Sequence, residues 1–297
     1  MRVTPLPLVA FVLALSFAAS EATAQEVVRT LAQDDEPPTT PVALHHDVAV
    51  DLVATGVLAA GLVTWTAVRA SALRSSCVIC DGVGRGEVNG VDDFFRTAFR
   101  RRDGAAADTA GDIVTYGVAP AMGLALTIGV AAADRRSDEA SLNALLVAEA
   151  SLAAIAANEA FGALLRRPAP AAPSLGDDSM SSFPSGSAAS IMAITAASAT
   201  IATLRGYRLA PLLWIMGTTV GLTATYLRMA ADKSYFTDNL AGAAIGMSVG
   251  ALIPLVLHRR IEPGATTARA HWLESATLTT STVPGGRILG VGWSLEP

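Results

Sequence analysis

Lysine is almost missing from this chain. Lys233 is the single one in 297 residues, and the remaining basic residues are arginines. With a formal net charge of −5 there is no basic excess of the kind that grips nucleic acid. Charge of either sign is scarce: 16% of residues, against roughly 25% in a typical soluble domain. That argues against an ordinary water-soluble globule, and a hydrophobic share of 52% argues against intrinsic disorder. Two cysteines, Cys77 and Cys80, cannot make a disulfide framework or a four-ligand zinc site; they leave room for a local disulfide or an idle thiol pair. No cluster of metal-ligating residues is apparent along the chain, so neither metal nor cofactor is expected. What the chain has in quantity is long apolar runs, and its mean hydropathy of +0.45 is that of a membrane protein.

Residues 1–24 read as an export signal: Arg2, an apolar stretch from Leu6 to Ala19, and Ala22-Thr23-Ala24 before Gln25. A polar lead-in follows over 25–48. Six apolar stretches near 49–70, 112–133, 140–164, 187–204, 209–227 and 237–257 are each long enough to cross about 30 Å of hydrocarbon as a helix. They are rich in Ala, Gly, Ser and Thr, which lets helix backbones approach closely, so a compact all-α bundle is expected over 49–257. Glu149 is an acid well inside a span and should face the bundle interior. Between spans one and two, Val91, Phe94, Phe95 and Phe99 predict a short amphipathic helix lying along the interface, next to Asp92, Asp93 and Arg100-Arg101-Arg102. In the tail, 258–297, Leu278, Thr280 and Thr282 before Pro284-Gly285-Gly286, with Ile288, Gly290 and Gly292 after it, predict a small hairpin.

Three loops should share one end of the bundle. The first closes span three with Arg166-Arg167-Pro168. The second, Ser181 to Ser187, opens span four with Pro184-Ser185-Gly186. The third runs from Arg228 through Lys233, Ser234 and Tyr235 to Asp238. Pro-Ser-Gly at a helix start offers free N–H groups, a hydroxyl and the positive end of a dipole, a combination suited to an anion. Arg167 and Arg228 could fork onto the same oxyanion, and Lys233 could add a further charge.

These motifs resemble those of the type 2 phosphatidic acid phosphatase (PAP2) family, related to the vanadium haloperoxidases. That family carries a Lys, six residues, then Arg-Pro; then Pro-Ser-Gly-His; then Arg, five residues, His, three residues, Asp. Arg167-Pro168, Pro184-Ser185-Gly186, and Arg228 with Asp238 match, over a resemblance that spans roughly 49–257. The departures fall on the chemistry. The family lysine is Ala160, the second-motif histidine is Ser187, and the third-motif histidine is Ser234. In the family that last histidine attacks phosphorus, the aspartate orients it, and the other histidine protonates the leaving oxygen.

The resemblance therefore implies a six-helix PAP2-type membrane protein with an anion cradle of Arg167, Ser185, Gly186, Arg228 and Lys233. Ser234, Asp238 and Ser187 stand at its degenerate catalytic positions. The four histidines, His45, His46, His258 and His271, all lie before span one or after span six, on the opposite face. The expected function is a pseudophosphatase that still binds a lipid phosphate or another phosphorylated amphiphile. One alternative is an active lipid phosphatase acting through Ser234 or a substrate-assisted route, and a serine nucleophile would need a nearby base. Another is a structural or partner-binding membrane protein, with protein partners unspecified. The expected location is a bacterial inner membrane. A cleaved signal would put the motif loops in the cytoplasm, whereas the family generally presents its site outside, so the sequence leaves the orientation open.

Overall fold

The computed structural model describes residues 42–72, 78–79, 88–102, 104–170, 182–261, 276–283 and 286–293. The signal segment 1–24, most of the lead-in, Cys77, Cys80, Ser181 and His271 lie outside the described residues. The chain divides into two units, Met1–Arg260 and Ile261–Pro297.

The first unit is helical. Its elements are α1 (Val48–Ala72), α2 (Gly90–Phe99), α3 (Gly104–Asp112), a π-helical turn Ile113–Val118 and α4 (Ala119–Ala133). A 3₁₀ turn, Ser137–Glu139, leads into α5 (Ala140–Leu165), α6 (Gly186–Arg205), α7 (Ala210–Ala230) and α8 (Phe236–Leu257). Among the described residues six helices are long and apolar enough to cross a membrane, and the chain is a multi-pass integral membrane protein.

The second span is longer than its hydropathy predicts. It runs continuously over Gly104–Ala133, 30 residues, because Ala105-Ala106-Ala107 propagates helix through Asp108 and Asp112. At 1.5 Å per residue that is about 45 Å, more than a hydrocarbon core of about 30 Å, so α3 reaches out past the apolar slab with its two aspartates.

The bundle is organised around α6, the most buried span, which packs against α4, α5, α7 and α8. Its tightest neighbour is α8, and small residues make that approach possible. A Cβ on Gly242 would lie 2.2 Å from the Ser185 carbonyl oxygen, and one on Gly246 would lie 2.2 Å from that of Ala189. One helical turn further, Gly250 meets Ala193 in the same way. This four-residue repeat is a small-residue seam, and it fixes the start of α8 against the start of α6. By contrast α1 packs chiefly on α5 and turns Val50, Leu52, Val53, Val57 and Val63 outward, as a lipid-facing helix does.

The amphipathic helix is present as α2, capped by the Asn89 side chain, which accepts from Asp92 N–H. It differs from a helix lying along the interface in how its apolar residues divide. Val91 and Phe94 are exposed, but Phe95 stacks on Phe236 at 4.0 Å between centroids and Phe99 meets Tyr226 edge-on at 5.7 Å. Helix α2 is thus docked on the loop end of α7 and α8.

The second unit contains the predicted hairpin, an antiparallel pair of β1 (Ala276–Val283) and β2 (Gly286–Trp293). The register places Leu278 opposite Val291, Thr280 opposite Leu289 and Thr282 opposite Arg287.

Candidate functional site

The three motif loops meet at one end of the bundle. Helix α5 ends where Arg166 takes a left-handed conformation (φ 35°), which turns the chain into Arg167. The Arg167 carbonyl accepts from Ser182 N–H at 3.1 Å, tying the first loop to the second. Ser185 caps α6, its hydroxyl accepting from Ala188 N–H. The Ser185 N–H donates to the Asp238 carbonyl at 2.9 Å, tying the second loop to the third.

Arg167 lies at the centre, 2% exposed. Its Nη1 donates to Asp238 Oδ1 at 2.6 Å and to Thr237 Oγ1 at 2.8 Å, and its Nη2 donates to Asp92 Oδ2 at 2.7 Å. The guanidinium also lies over the Tyr235 ring, 4.1 Å from its centroid. Burial alone would disfavour its charge, but Asp238 and Asp92 outweigh burial and hold its pKa above the ordinary value.

Asp92 comes from α2 and is fully buried. Its Oδ1 accepts from Thr237 N–H at 2.9 Å; its Oδ2 accepts from the Thr237 hydroxyl at 2.7 Å and Asn89 Nδ2 at 2.6 Å, as well as from Arg167. Burial pushes this carboxyl up, yet the Thr237, Arg167 and Asn89 hydrogen bonds prevail and hold it below the usual aspartate value. A carboxylate that takes an arginine and the second N–H of a helix start makes the contacts an anionic ligand would make there. The chain supplies its own anion to Arg167.

The docking of α2 is reinforced beside it. Arg96 donates through Nε and Nη2 to Asp232 at 2.7 Å each, and through Nη2 to the Pro170 carbonyl at 2.9 Å. Asp232, itself left-handed at φ 59°, also pairs with Arg100 at 3.2 Å.

Arg228 and Lys233 make a separate constellation. Arg228 Nη1 lies 3.1 Å from Asp112 and 3.7 Å from Asp108, while Lys233 Nζ lies 3.0 Å from Asp108. These partners share no residue with the named partners of Arg167. Lys233 is exposed, and the buried Nε of Arg228 has no hydrogen-bond partner among the described residues. Gly186 is exposed at the start of α6, where the first N–H groups lack intrahelical acceptors.

Ser187 and Ser234 are buried, and Asp238 turns its oxygens to other partners than Ser234. Ser234 Oγ accepts from Asn239 Nδ2 at 2.8 Å. Asp238 is committed elsewhere: Oδ1 to Arg167 and Oδ2 to the Tyr235 N–H at 2.9 Å, the second contact closing a capping box at the start of α8. Ser187 is buried in the first turn of α6. Ala160 is exposed on a groove of about 520 Å³ between α1 and α5, lined also by Leu58, Trp65, Glu159 and Leu164. His258 follows the far end of the 22-residue α8, roughly 33 Å from its start, and its Nδ1 lies 3.1 Å from the His45 carbonyl there.

Asp92 is the site residue that motif reading leaves out. It was legible as the third residue after a cap, in Asn89-x-x-Asp92, but nothing in the sequence pairs it with Arg167, 75 positions away.

Residues 143–262 match the PAP2 superfamily. The matched segment covers α5 to α8, which carry the three loops, and excludes α2 with Asp92; it is narrower than the 49–257 suggested by the motifs. No curated relative matches the chain. Among solved structures, the first transmembrane PAP2-type phosphatidylglycerolphosphate phosphatase from Bacillus subtilis is similar at 14% identity. That alignment covers 84% of this chain and 94% of the other, with a TM-score of 0.32.

Proposed function

We propose, from the premise that residues 143–262 match the PAP2 superfamily, that the chain is a catalytically silent membrane protein of that type. It holds a phosphorylated amphiphile at the loop end without hydrolysing it. The observation that carries the silent half is the pairing of Ser234 with Asn239 while both oxygens of Asp238 are engaged by Arg167 and Tyr235. A serine hydroxyl attacks phosphorus only if a base takes its proton, and the amide N–H group of Asn239 is a donor. The described histidines, His45, His46 and His258, belong to the opposite end of the bundle and supply no base.

The binding half rests on Arg228, whose buried Nε has no partner among the described residues, together with Lys233, Ser185 and the exposed Gly186 at the start of α6. An anion there would compete with Asp108 and Asp112 for Arg228 and Lys233. The groove beside Ala160 offers an apolar path for an acyl chain. Access to Arg167 requires Asp92 to leave. The export-type N-terminus and the six spans support a bacterial inner membrane as the location.

A purely structural reading is favoured by one fact: Asp92 already makes the anion contacts of Arg167 and Thr237. The two readings separate by binding of phosphatidic acid in nanodiscs. A binder loses at least tenfold affinity with Arg228→Ala and gains affinity with Asp92→Asn. A structural protein shows no saturable binding in any of the three forms.

A further inference from the structure

A second polar cluster lies at the other end of the bundle, away from the loops. Asp51 in the first turn of α1, Glu149 in α5 and His258 just after α8 bring one ligand atom each to within 4.8 Å of one another. All three are buried, at 5%, 6% and 2% exposure. Asp51 Oδ2, Glu149 Oε2 and His258 Nε2 are each shielded from solvent and lack any hydrogen-bond partner among the described residues. Three buried polar atoms without a hydrogen bond converging on one point are costly unless something sits between them.

The orientation of the imidazole indicates what that is. His258 Nδ1 lies 3.1 Å from the His45 carbonyl, an acceptor only, so Nδ1 carries a proton; in the neutral ring that a metal would take, Nε2 turns its lone pair to the carboxylates. A metal-bound histidine commonly donates its other ring N–H to such a backbone carbonyl. The His45 carbonyl is itself held in place, because the His45 N–H donates to the Arg259 carbonyl at 2.9 Å and Leu44 bridges Arg260. His258 Nε2 and Glu149 Oε2 stand 3.4 Å apart, yet the contact lacks hydrogen-bond geometry. Two ligands at about 2.0–2.1 Å from a tetrahedral ion are separated by about 3.3 Å. The spacing is that of two corners of such a site.

We propose that Asp51, Glu149 and His258 bind a divalent transition-metal ion of the zinc type, with a fourth position left for water or another donor. Two carboxylates neutralise the ion's charge, and one neutral imidazole with two carboxylate oxygens suits Zn²⁺ or Co²⁺ better than Ca²⁺ or Mg²⁺. The ion joins the first span to the third and the sixth, so it pins α1, which otherwise packs chiefly on α5. The site lies apart from the loop end and does not depend on how the phosphate cradle is read.

The test uses full-length, detergent-purified protein, freed of any affinity tag and stripped with a chelator. It is titrated with Co²⁺, followed by visible d–d absorption, and back-titrated with Zn²⁺. The expected result is one tetrahedral Co²⁺ per chain, displaced by Zn²⁺, with a higher Tm for the metal-bound form. Affinity should fall at least tenfold in Glu149→Gln and in His258→Gln, and also in Asp51→Asn, which keeps the shape of the site if a helix-end substitution unfolds. It should be unchanged in His46→Ala, whose side chain is exposed. The proposal is overturned if the stripped protein takes up no Co²⁺, if Glu149→Gln and Asp51→Asn bind like the natural chain, or if thiolate charge-transfer bands place the ion on Cys77 and Cys80.

Discussion

Replacing Asp92 by Asn should undock α2 while leaving the six-span bundle standing. The side chain keeps its shape, and its remaining oxygen still accepts from the Thr237 N–H. The other atom becomes an NH₂ group facing three donors, Arg167 Nη2, Asn89 Nδ2 and the Thr237 hydroxyl, all now within 2.6–2.7 Å of Oδ2. Removing one partner of a buried ion pair costs about 3–5 kcal/mol. The lower end applies here, because Arg167 retains Asp238 at 2.6 Å. Opposing the loss are the Phe95–Phe236 stack and the Phe99–Tyr226 contact, each about 0.5–1.5 kcal/mol, and the Arg96–Asp232 pair, which the substitution leaves intact. A loss of about 3 kcal/mol raises the undocked population by on the order of 100-fold. Amide hydrogen exchange in nanodiscs reads this directly: residues 90–99 should exchange on the order of 100-fold faster, with α6 and α8 unchanged. Unchanged exchange over 90–99 would refute the assignment of Asp92 as the latch. So would a loss of protection throughout α6 and α8 with α2 still protected.

Three further outcomes follow from the same contacts. Gly246→Ala drives a methyl group to 2.2 Å from the Ala189 carbonyl oxygen; the backbone cannot yield cheaply, so thermal unfolding in detergent should show a loss of about 1–3 kcal/mol or more. Ser234→Ala removes only the hydrogen bond from Asn239, so stability should fall by about 1 kcal/mol and phosphate release should not change. The third concerns pH: Asp92 titrates below the ordinary value of 3.8 in the folded protein, so its contribution to docking is complete above that value and is lost as pH falls through the lowered folded-state value. A fluorophore on exposed position 91 should report release of α2 only in that acid range, and release near neutral pH would contradict the assigned contacts.

Much of this architecture was legible because hydrophobicity and small-residue content act locally. The spans were readable from apolar runs and their close packing from small-residue content, but not that Gly242, Gly246 and Gly250 set α8 against α6. The start of the second span was not, because Asp108 and Asp112 look like a connector until Arg228 and Lys233 are seen opposite them. Motif spacing brought the three loops to one end, but it treated Arg167, Arg228 and Lys233 as free charges. Whether an arginine awaits a ligand depends on which carboxylates the fold delivers to it, and Asp92 and Asp108 arrive from segments far away in the chain. Glu149 was conspicuous as an acid within a span, yet its companions Asp51 and His258 belong to the first and last helices and have no common motif. The signal segment and the cysteine pair lie outside the described residues and stay expectations of the sequence.

The central claim is that the loop end retains the form of a phosphatase site without a base at Ser234 or a histidine at Ser187. The most direct test is inorganic phosphate release from a panel of lipid phosphates by the purified natural protein, beside its Ser234→Ala and Asp238→Ala variants. The prediction is no release above the protein-free blank from any of the three. Turnover by the natural protein that disappears in Ser234→Ala and in Asp238→Ala would contradict the account and establish a serine-based phosphatase.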